Sequence, residues 1–463
     1  MSLIIVVLAL VLLMFVAYRG FSVILFAPVC ALLAVLLTDP GLVLPMFSGV
    51  FMDKMVGFIK SYFPVFVLGA VFGKVIELSG FSKSIVSAVI RLLGRERSML
   101  SIVVVCALLT YGGVSLFVVV FAVYPFAAEM FKQGNIPKRL IPGTIALGAF
   151  TFTMDALPGT PQIQNIIPTT FFKTNSWAAP WLGLIGGIFI LISGLAYLEW
   201  RRKRAAAAGE GYGTNLLNEP LPYTEENLPN PWLALSPLVI VGVTNMLFTS
   251  LIPKLYGVTH TAQLPGMAKP ITTQVSSVAA IWAVQCALVL GILTVVAFAW
   301  KPIKERFADG SKAAIAGALL SVTNTASEYG FGGIIAALPG FLTIAEGLKA
   351  IPGVLINEAV AVNVLAGITG SASGGMSIAL ATMADTFIAG AQAANIPLEV
   401  LHRVASMSSG GMDTLPHNGA VITLLAVTGL THKDSYIDIF AITLTKFAAV
   451  FLIIGVYYLT GIY

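Results

Sequence analysis

Long apolar blocks separated by short polar segments dominate the chain. A helix needs about 20 apolar residues to cross a bilayer. Blocks of that kind cover 2–18, 21–38, 61–80, 180–199, 232–252, 276–300, 312–338 and 437–461. Two further regions, about 98–172 and 355–430, are apolar but broken by Gly, Pro, Ser and Asp. The longest polar stretch, 200–231, opens with Arg201, Arg202, Lys203 and Arg204 and divides the chain nearly in half. The first block is expected to be a transmembrane helix and not a signal peptide, because Arg19 follows the apolar run and a second run starts at Phe21.

The two halves repeat each other. Ser79-Gly80-Phe81 is answered by Pro339-Gly340-Phe341, and Asn135-Ile136-Pro137 by Asn395-Ile396-Pro397, each 260 residues later. Downstream, Met154-Asp155-Ala156-Leu157-Pro158-Gly159 is answered by Met412-Asp413-Thr414-Leu415-Pro416-His417. Three matches in order mark an internal duplication. The expected organisation is a first repeat over 1–200, with a hairpin at about 98–131 and a broken helix at about 137–172. A linker over 201–231 follows, then a second repeat over 232–463, with a hairpin at about 355–393 and a broken helix at about 395–430.

Charge placement orients the halves, since cytoplasmic loops carry the Lys and Arg excess. Arg91, Arg95, Arg97, Lys132, Lys138 and Arg139 flank the first interrupted region, whereas the second offers mainly Lys349 and Arg403. The first hairpin is therefore expected to open toward the cytoplasm and the second away from it. Arg201–Arg204 and the Lys301, Lys304, Arg306 cluster then also fall inside. The predicted fold class is an all-α polytopic membrane protein of two inverted-topology repeats. Each has about five transmembrane helices and a re-entrant helical hairpin, with helices broken at the midplane, a transporter architecture with its site at the repeat interface.

Composition narrows the class further. Of 463 residues, 57% are hydrophobic and only 10% charged, far below the roughly 25% charged residues of soluble domains. The net charge of +5 is spread over short inter-helix segments and forms no nucleic-acid face. Cys30, Cys106 and Cys286 sit inside apolar runs without disulfide or metal-ligand spacing and are expected to be small buried hydrophobes. No metal site and no cofactor is expected.

Each half has two breaks where backbone polar groups come free. One is a hairpin tip: Gly112, Gly113 and Ser115 in the first half, Gly370, Ser371, Ser373 and Gly374 in the second. The other is the Met-Asp-x-Leu-Pro sequence. Irregular backbone is tolerated at membrane depth only where protein buries it or a cavity adjoins it. Helix N-termini there direct N–H groups at an anion, and Ser115, Thr160, Ser371 and Ser373 add hydroxyls. No arginine lies in the breaks, so an anion is expected to be held mainly by dipoles and hydroxyls. Small-residue helix packing is the competing reading of the tips.

Asp155 and Asp413 are acids within apolar segments, where a charge costs about 2.5–3.5 kcal/mol on insertion scales. They are candidates for cation coupling or substrate contact, and helix capping is the compatible alternative. A carboxylate with freed carbonyls makes a Na⁺ site, and one shielded from water carries a proton; the sequence leaves both open. His417 and Asn418 stand where the first repeat has Gly159 and Thr160, an asymmetry suited to an asymmetric substrate. His417 has two readings, a proton-coupling group and a structural histidine. Glu328 lies in the polar stretch Ser321–Glu328 of a predicted span and is expected to face the interior or a cavity. Glu358 and Asn363 are weaker candidates, with Glu358 expected near the surface.

These motifs resemble the gluconate permease family of the ion-transporter superfamily over essentially the whole chain. The residues that carry the likeness are the Asn-Ile-Pro triplets, the break at Leu157–Pro161 and the tip Gly370-Ser371-Ala372-Ser373. The first break, Thr153–Pro158, and the lack of Arg or Lys between Lys349 and Arg403 bring the chain nearer the hydroxybutyrate permease branch. The family implies proton-linked uptake of small hydroxy-monocarboxylates such as 3-hydroxybutyrate or gluconate. The superfamily implies a homodimer in the cytoplasmic membrane, with a fixed scaffold and a moving domain. Anion channels, exchangers and carriers of larger carboxylates such as citrate are the alternatives. A membrane enzyme lacks support, with no His-Glu-x-x-His, Cys/His cluster or Gly-x-Ser-x-Gly, and no phosphate loop points to an ATP-driven pump.

Overall fold

The computed structural model describes residues 2–19, 21–94, 97–114, 116–214, 216–220, 228–349, 351–416 and 418–463. The first half contributes α1 (Ser2–Tyr18), α2 (Val23–Thr38), α3 (Met52–Leu78), α4 (Phe81–Leu93), α5 (Ser98–Tyr111), α6 (Leu116–Gln133), α7 (Ile141–Ala149), α8 (Ile163–Phe172) and α9 (Pro180–Ala207). The second contributes α10 (Pro231–Tyr256), α11 (Val275–Phe298), α12 (Trp300–Ala337), α13 (Pro339–Lys349), α14 (Val354–Thr369), α15 (Ala372–Ala393), α16 (Leu398–Ser409), α17 (Gly419–Thr428) and α18 (His432–Thr460). Nine elements answer nine in order. The departures from helix are small: a two-stranded antiparallel ribbon, Thr259–Ala262 with Ile271–Gln274, joins α10 to α11.

The packing is duplicated along with the order. Within the halves, α1 lies on α2 as α10 lies on α11, and α5 on α7 as α14 on α16. Between them, α2 packs on α12 as α11 packs on α3, and α8 on α15 as α17 on α6. The Asn-Ile-Pro triplets are alike in detail. Asn135 and Asn395 both adopt left-handed backbone, at φ 47° and 52°, a conformation asparagine tolerates better than most side chains. Ile136 and Ile396 then donate back to Phe131 and Ala391, each at 2.8 Å.

In chain order α1, α2, α3, the interrupted α7–α8 and α9 of the first half are answered by α10, α11, α12, the interrupted α16–α17 and α18 of the second. The hairpins α5–α6 and α14–α15 return to their starting side because Gly113 (φ 97°) and Gly370 (φ 65°) reverse the chain in conformations that glycine reaches without strain. Among the described residues five helices are long and apolar enough to cross a membrane, α9 and α18 among them, and large side chains such as Ile192, Met246 and Leu293 stay exposed toward lipid. The protein is an all-α, polytopic membrane protein.

Several expectations need correction. α3 runs from Met52, well before the apolar block at 61–80, because Asp53, Lys54 and Lys60 sit on its exposed side. α12 begins at Trp300, its charged first turns hiding it from an apolar count. Arg201–Arg204 belong to α9, which extends to Ala207. Cys286 is exposed, while Cys30 and Cys106 are buried. Arg403 is no loop charge, since it is completely buried inside α16. Glu358 is fully buried as well, because α14 packs between α15 and α16.

Candidate functional site

The first break separates α7 from α8 and leaves carbonyls without helical partners at membrane depth. Basic side chains from the second half occupy them. Lys446, on α18, donates to the Phe150 carbonyl at 2.8 Å. Arg403 donates to the Asp155 carbonyl at 3.1 Å, and also to that of Ala178, in the turn before α9, at 2.7 Å, and Ser406 adds a 2.7 Å bond to the Asp155 carbonyl. Freed carbonyls in hydrocarbon must be satisfied internally, and this arrangement meets the requirement from across the repeat interface.

The same lysine joins the two motif acids. Its ammonium lies 3.0 Å from Asp413 Oδ1 and 3.6 Å from Asp155 Oδ2. All three groups are buried, so two carboxylates, one from each half, share one ammonium. Asp155 Oδ1 is buried without a partner. Glycine is required beside this cluster, because a Cβ on Gly410 would collide with Asp155 and Lys446, and one on Gly411 with Asn363.

Each break also clasps the tip of its own hairpin. Gln162, at the start of α8, donates to Thr110 and Val114 carbonyls at 2.7 and 3.3 Å. Asn418, at the start of α17, donates to the Gly370 carbonyl at 2.7 Å, while its oxygen caps Ala420 and Val421 N–H groups. The structural counterpart of Asn418 is thus Gln162, two positions beyond Thr160, because the first loop is longer.

The tips differ in what they face. Gly112 and Gly113 pack against Leu238, Leu288, Phe72 and Pro161, with Gly69 opposite. Gly159 lies under the Trp177 ring, and its neighbour Thr160 is fully buried with an unpartnered hydroxyl. The second tip is polar: Ser373 Oγ is 3.4 Å from Thr325 Oγ1 and 3.5 Å from Ser371 Oγ. Ser371 hydrogen-bonds Glu328 and accepts from the Gly374 N–H at 3.1 Å. Among the described residues no hydrogen bond or ion pair links Glu328 to Asp155 or Asp413. Ser115 and His417 lie outside the described residues.

The sequence pattern does not single out Lys446, Arg403, His402, Asn165 or Gln162. His402 bridges Thr174 at 2.6 Å and Asn165 at 3.1 Å, and Asn165 also accepts from Arg403 at 3.1 Å. No arginine lies in the sequence of the breaks, yet Arg403 and Lys446 reach the first break from α16 and α18. A lone lysine within the apolar block 437–461 was the available signal, since an intramembrane charge marks a functional candidate.

No family model matches the sequence. The chain is 60% identical over 471 residues to the uncharacterised transporter YxjC of Bacillus subtilis (strain 168), with all of both chains covered. Among solved structures, the YdaH transporter of Alcanivorax borkumensis, described as having an unusual topology, is similar with a TM-score of 0.54. That match spans 92% of this chain and 90% of the other at 16% identity, a likeness of fold.

Proposed function

Because the chain belongs to the same transporter family as Bacillus subtilis YxjC, we propose that it is a secondary active symporter. Its cargo is a small hydroxy-monocarboxylate such as 3-hydroxybutyrate or gluconate, moved with H⁺ across the cytoplasmic membrane. The observation that carries this reading is the convergence of Asp155 and Asp413 on Lys446, where both halves break. Anion entry against an inside-negative potential is opposed by about 2.3 kcal/mol per charge per 100 mV, so accumulation needs a co-transported cation. The coupling proton is drawn from the buried acids Asp155, Asp413 and Glu328. The anion sits between the hairpin tips and the two breaks, where Thr160, Ser371 and Ser373 hydroxyls and helix N-termini are at hand.

The hairpin-bearing elements, α5–α9 and α14–α18, move as a unit against the scaffold of α1–α3 and α10–α12, which pairs in a homodimer. The segment after α9 lies on the cytoplasmic side. The resemblance to gluconate permeases, nearer the hydroxybutyrate branch, supplies the substrate class.

The test is uptake of labelled 3-hydroxybutyrate and gluconate into proteoliposomes under an imposed pH gradient, and separately under a Na⁺ gradient. Saturable uptake driven by the pH gradient is expected, reduced at least about tenfold in Asp155→Asn and in Asp413→Asn. Coupled uptake unchanged in both variants would falsify the assignment of the site.

A further inference from the structure

The two hairpin tips are related by the duplication, yet the scaffold treats them differently. A shift of 260 residues carries Glu328 back to Leu68, and neighbouring Gly69 faces the carbonyl of Gly113. Among the described residues, the scaffold side chains nearest the glycines of the first tip are the apolar Leu238, Leu288 and Phe72. At the second the scaffold offers Thr325 and Glu328, one turn apart on α12.

Glu328 is 4% exposed. Its Oε2 has no hydrogen-bond partner, while its carboxyl hydrogen-bonds the Ser371 side chain. The free oxygen points into the first turn of α15: Gly374 stands third in that helix, and any Cβ there would overlap Glu328 Oε2. Ser371 is the cap residue, and the N–H groups of Ala372 and Ser373 have no acceptor within the helix. Ser373 and Thr325 add hydroxyls within 3.4 Å of each other. Donors and a positive helix end surround a carboxyl that, if ionised, repels an arriving anion.

The charged groups on elements packed against α12 stand elsewhere. On α3, Lys54 lies against Gly333 and Lys74 against Gly310, where Lys74 pairs with Glu77, and Asp53 and Lys60 are exposed. Asp385 is exposed, three turns farther along α15. The helices α2 and α11 carry no charged residue, and the sequence of α13 holds Glu346 and Lys349.

We infer that Glu328 is the acid whose proton travels with the substrate: protonated, it donates a hydrogen bond from Oε2 to the anion's carboxylate seated on the first turn of α15. The inference rests on the H⁺ symport reading and deepens it, choosing Glu328 over Asp155 and Asp413 as the proton that meets the cargo. No covalent bond changes. One proton and one carboxylate bind together and leave together, because each makes room for the other's charge. The asymmetry of the tips also assigns the carboxylate end of the substrate to the second half, leaving the body of the molecule toward Thr160.

The experiment is calorimetric binding of short monocarboxylates, 3-hydroxybutyrate first, to the purified full-length protein between pH 5.5 and 8.5. In the wild type, affinity is expected to fall about tenfold per pH unit on the alkaline side, with one proton taken up per anion bound. Glu328→Gln, whose amide N–H replaces the carboxyl O–H, is expected to bind the anion with that pH slope lost. A Glu328→Gln protein with the wild-type slope overturns the inference and returns the coupling proton to Asp155 or Asp413, with symport intact. Wild-type binding that depends on Na⁺ instead of acid also overturns it. A wild type that binds no monocarboxylate at any pH defeats the transport reading itself. Should Glu328→Gln not fold, Ser373→Ala and Thr325→Val decide. Affinity about tenfold weaker with proton uptake per anion unchanged supports the carboxylate seat, and wild-type affinity in both overturns it.

Discussion

At the scale of single residues, removing the Lys446 ammonium leaves Asp155 and Asp413 facing each other where water does not reach. Breaking a buried pair from one side costs about 3–5 kcal/mol, because the remaining charge keeps its desolvation penalty. Lys446 also holds the Phe150 carbonyl, so its loss leaves a backbone acceptor open as well. Lys446→Met is expected to unfold in detergent at markedly lower temperature than the wild type. Adding Asp413→Asn, which removes one of the orphaned charges, is expected to recover part of that loss. Thermal unfolding followed by size-exclusion chromatography measures both, and a Lys446→Met protein as stable as the wild type contradicts the reading of the trio. Asp155 and Asp413 were legible in the sequence because an acid inside an apolar block stands out and these two recur in matching motifs. Their partners were harder to see. Lys446 lies 33 residues beyond Asp413 on a separate helix, and Arg403 reads as a flanking charge until α16 is seen to be buried on every side. Sequence proximity carries no information about which side chain crosses a repeat interface.

At the scale of elements, the segment after α9 is strapped across the ends of several helices. Glu210 accepts from Arg139 at 2.6 and 2.8 Å, Glu219 pairs with Lys138 at 2.7 Å, and the Asn218 carbonyl accepts from Tyr124 at 2.8 Å while its amide donates to Ala426 at 2.8 Å. Asp438, at the start of α18, ties Arg139 and Arg201 to the same end, at 3.3 and 3.2 Å. The hydrogen bond from Arg139 holds the Glu210 carboxyl below its ordinary range. A depressed carboxylate contributes above its unfolded-state pKa and is lost only as pH falls through the lower folded-state value. Amide-exchange protection of residues 210–214 and 216–219 is therefore expected to be the same at pH 8 and pH 5, and to drop in Glu210→Gln at both. Protection that already collapses at pH 5 in the wild type counts against the strap. The hairpins and broken helices were legible as elements because Gly, Pro and Asp interrupt apolar runs at matching places. The starts of α3 and α12 were not, because their first turns carry charge on an exposed side and an apolar count cannot tell such a turn from a loop.

At the scale of the whole molecule, the duplication was the most legible feature, since two chemically identical triplets 260 residues apart demand the same left-handed asparagine twice. The difference between the halves was the least legible. The aligned motifs set Asn418 beside Thr160, whereas the longer first loop moves the equivalent role to Gln162. The polar character of the second tip depends on α12, which approaches it from outside the hairpin. The proposed function rests on that broken symmetry: a nearly symmetric frame suits exposure to either side, and the unlike tips suit telling one end of a cargo from the other. In the proposed symport, one proton accompanying one monocarboxylate would make each cycle electroneutral. The most direct measurement is the pH of the lumen, reported by trapped pyranine, when 3-hydroxybutyrate is added to proteoliposomes held at zero and then at −100 mV by a potassium gradient with valinomycin. The predicted result is acidification of the lumen with one proton per labelled anion taken up and the same rate at both potentials. Anion uptake with no proton flux, or with a rate set by the potential, would contradict it.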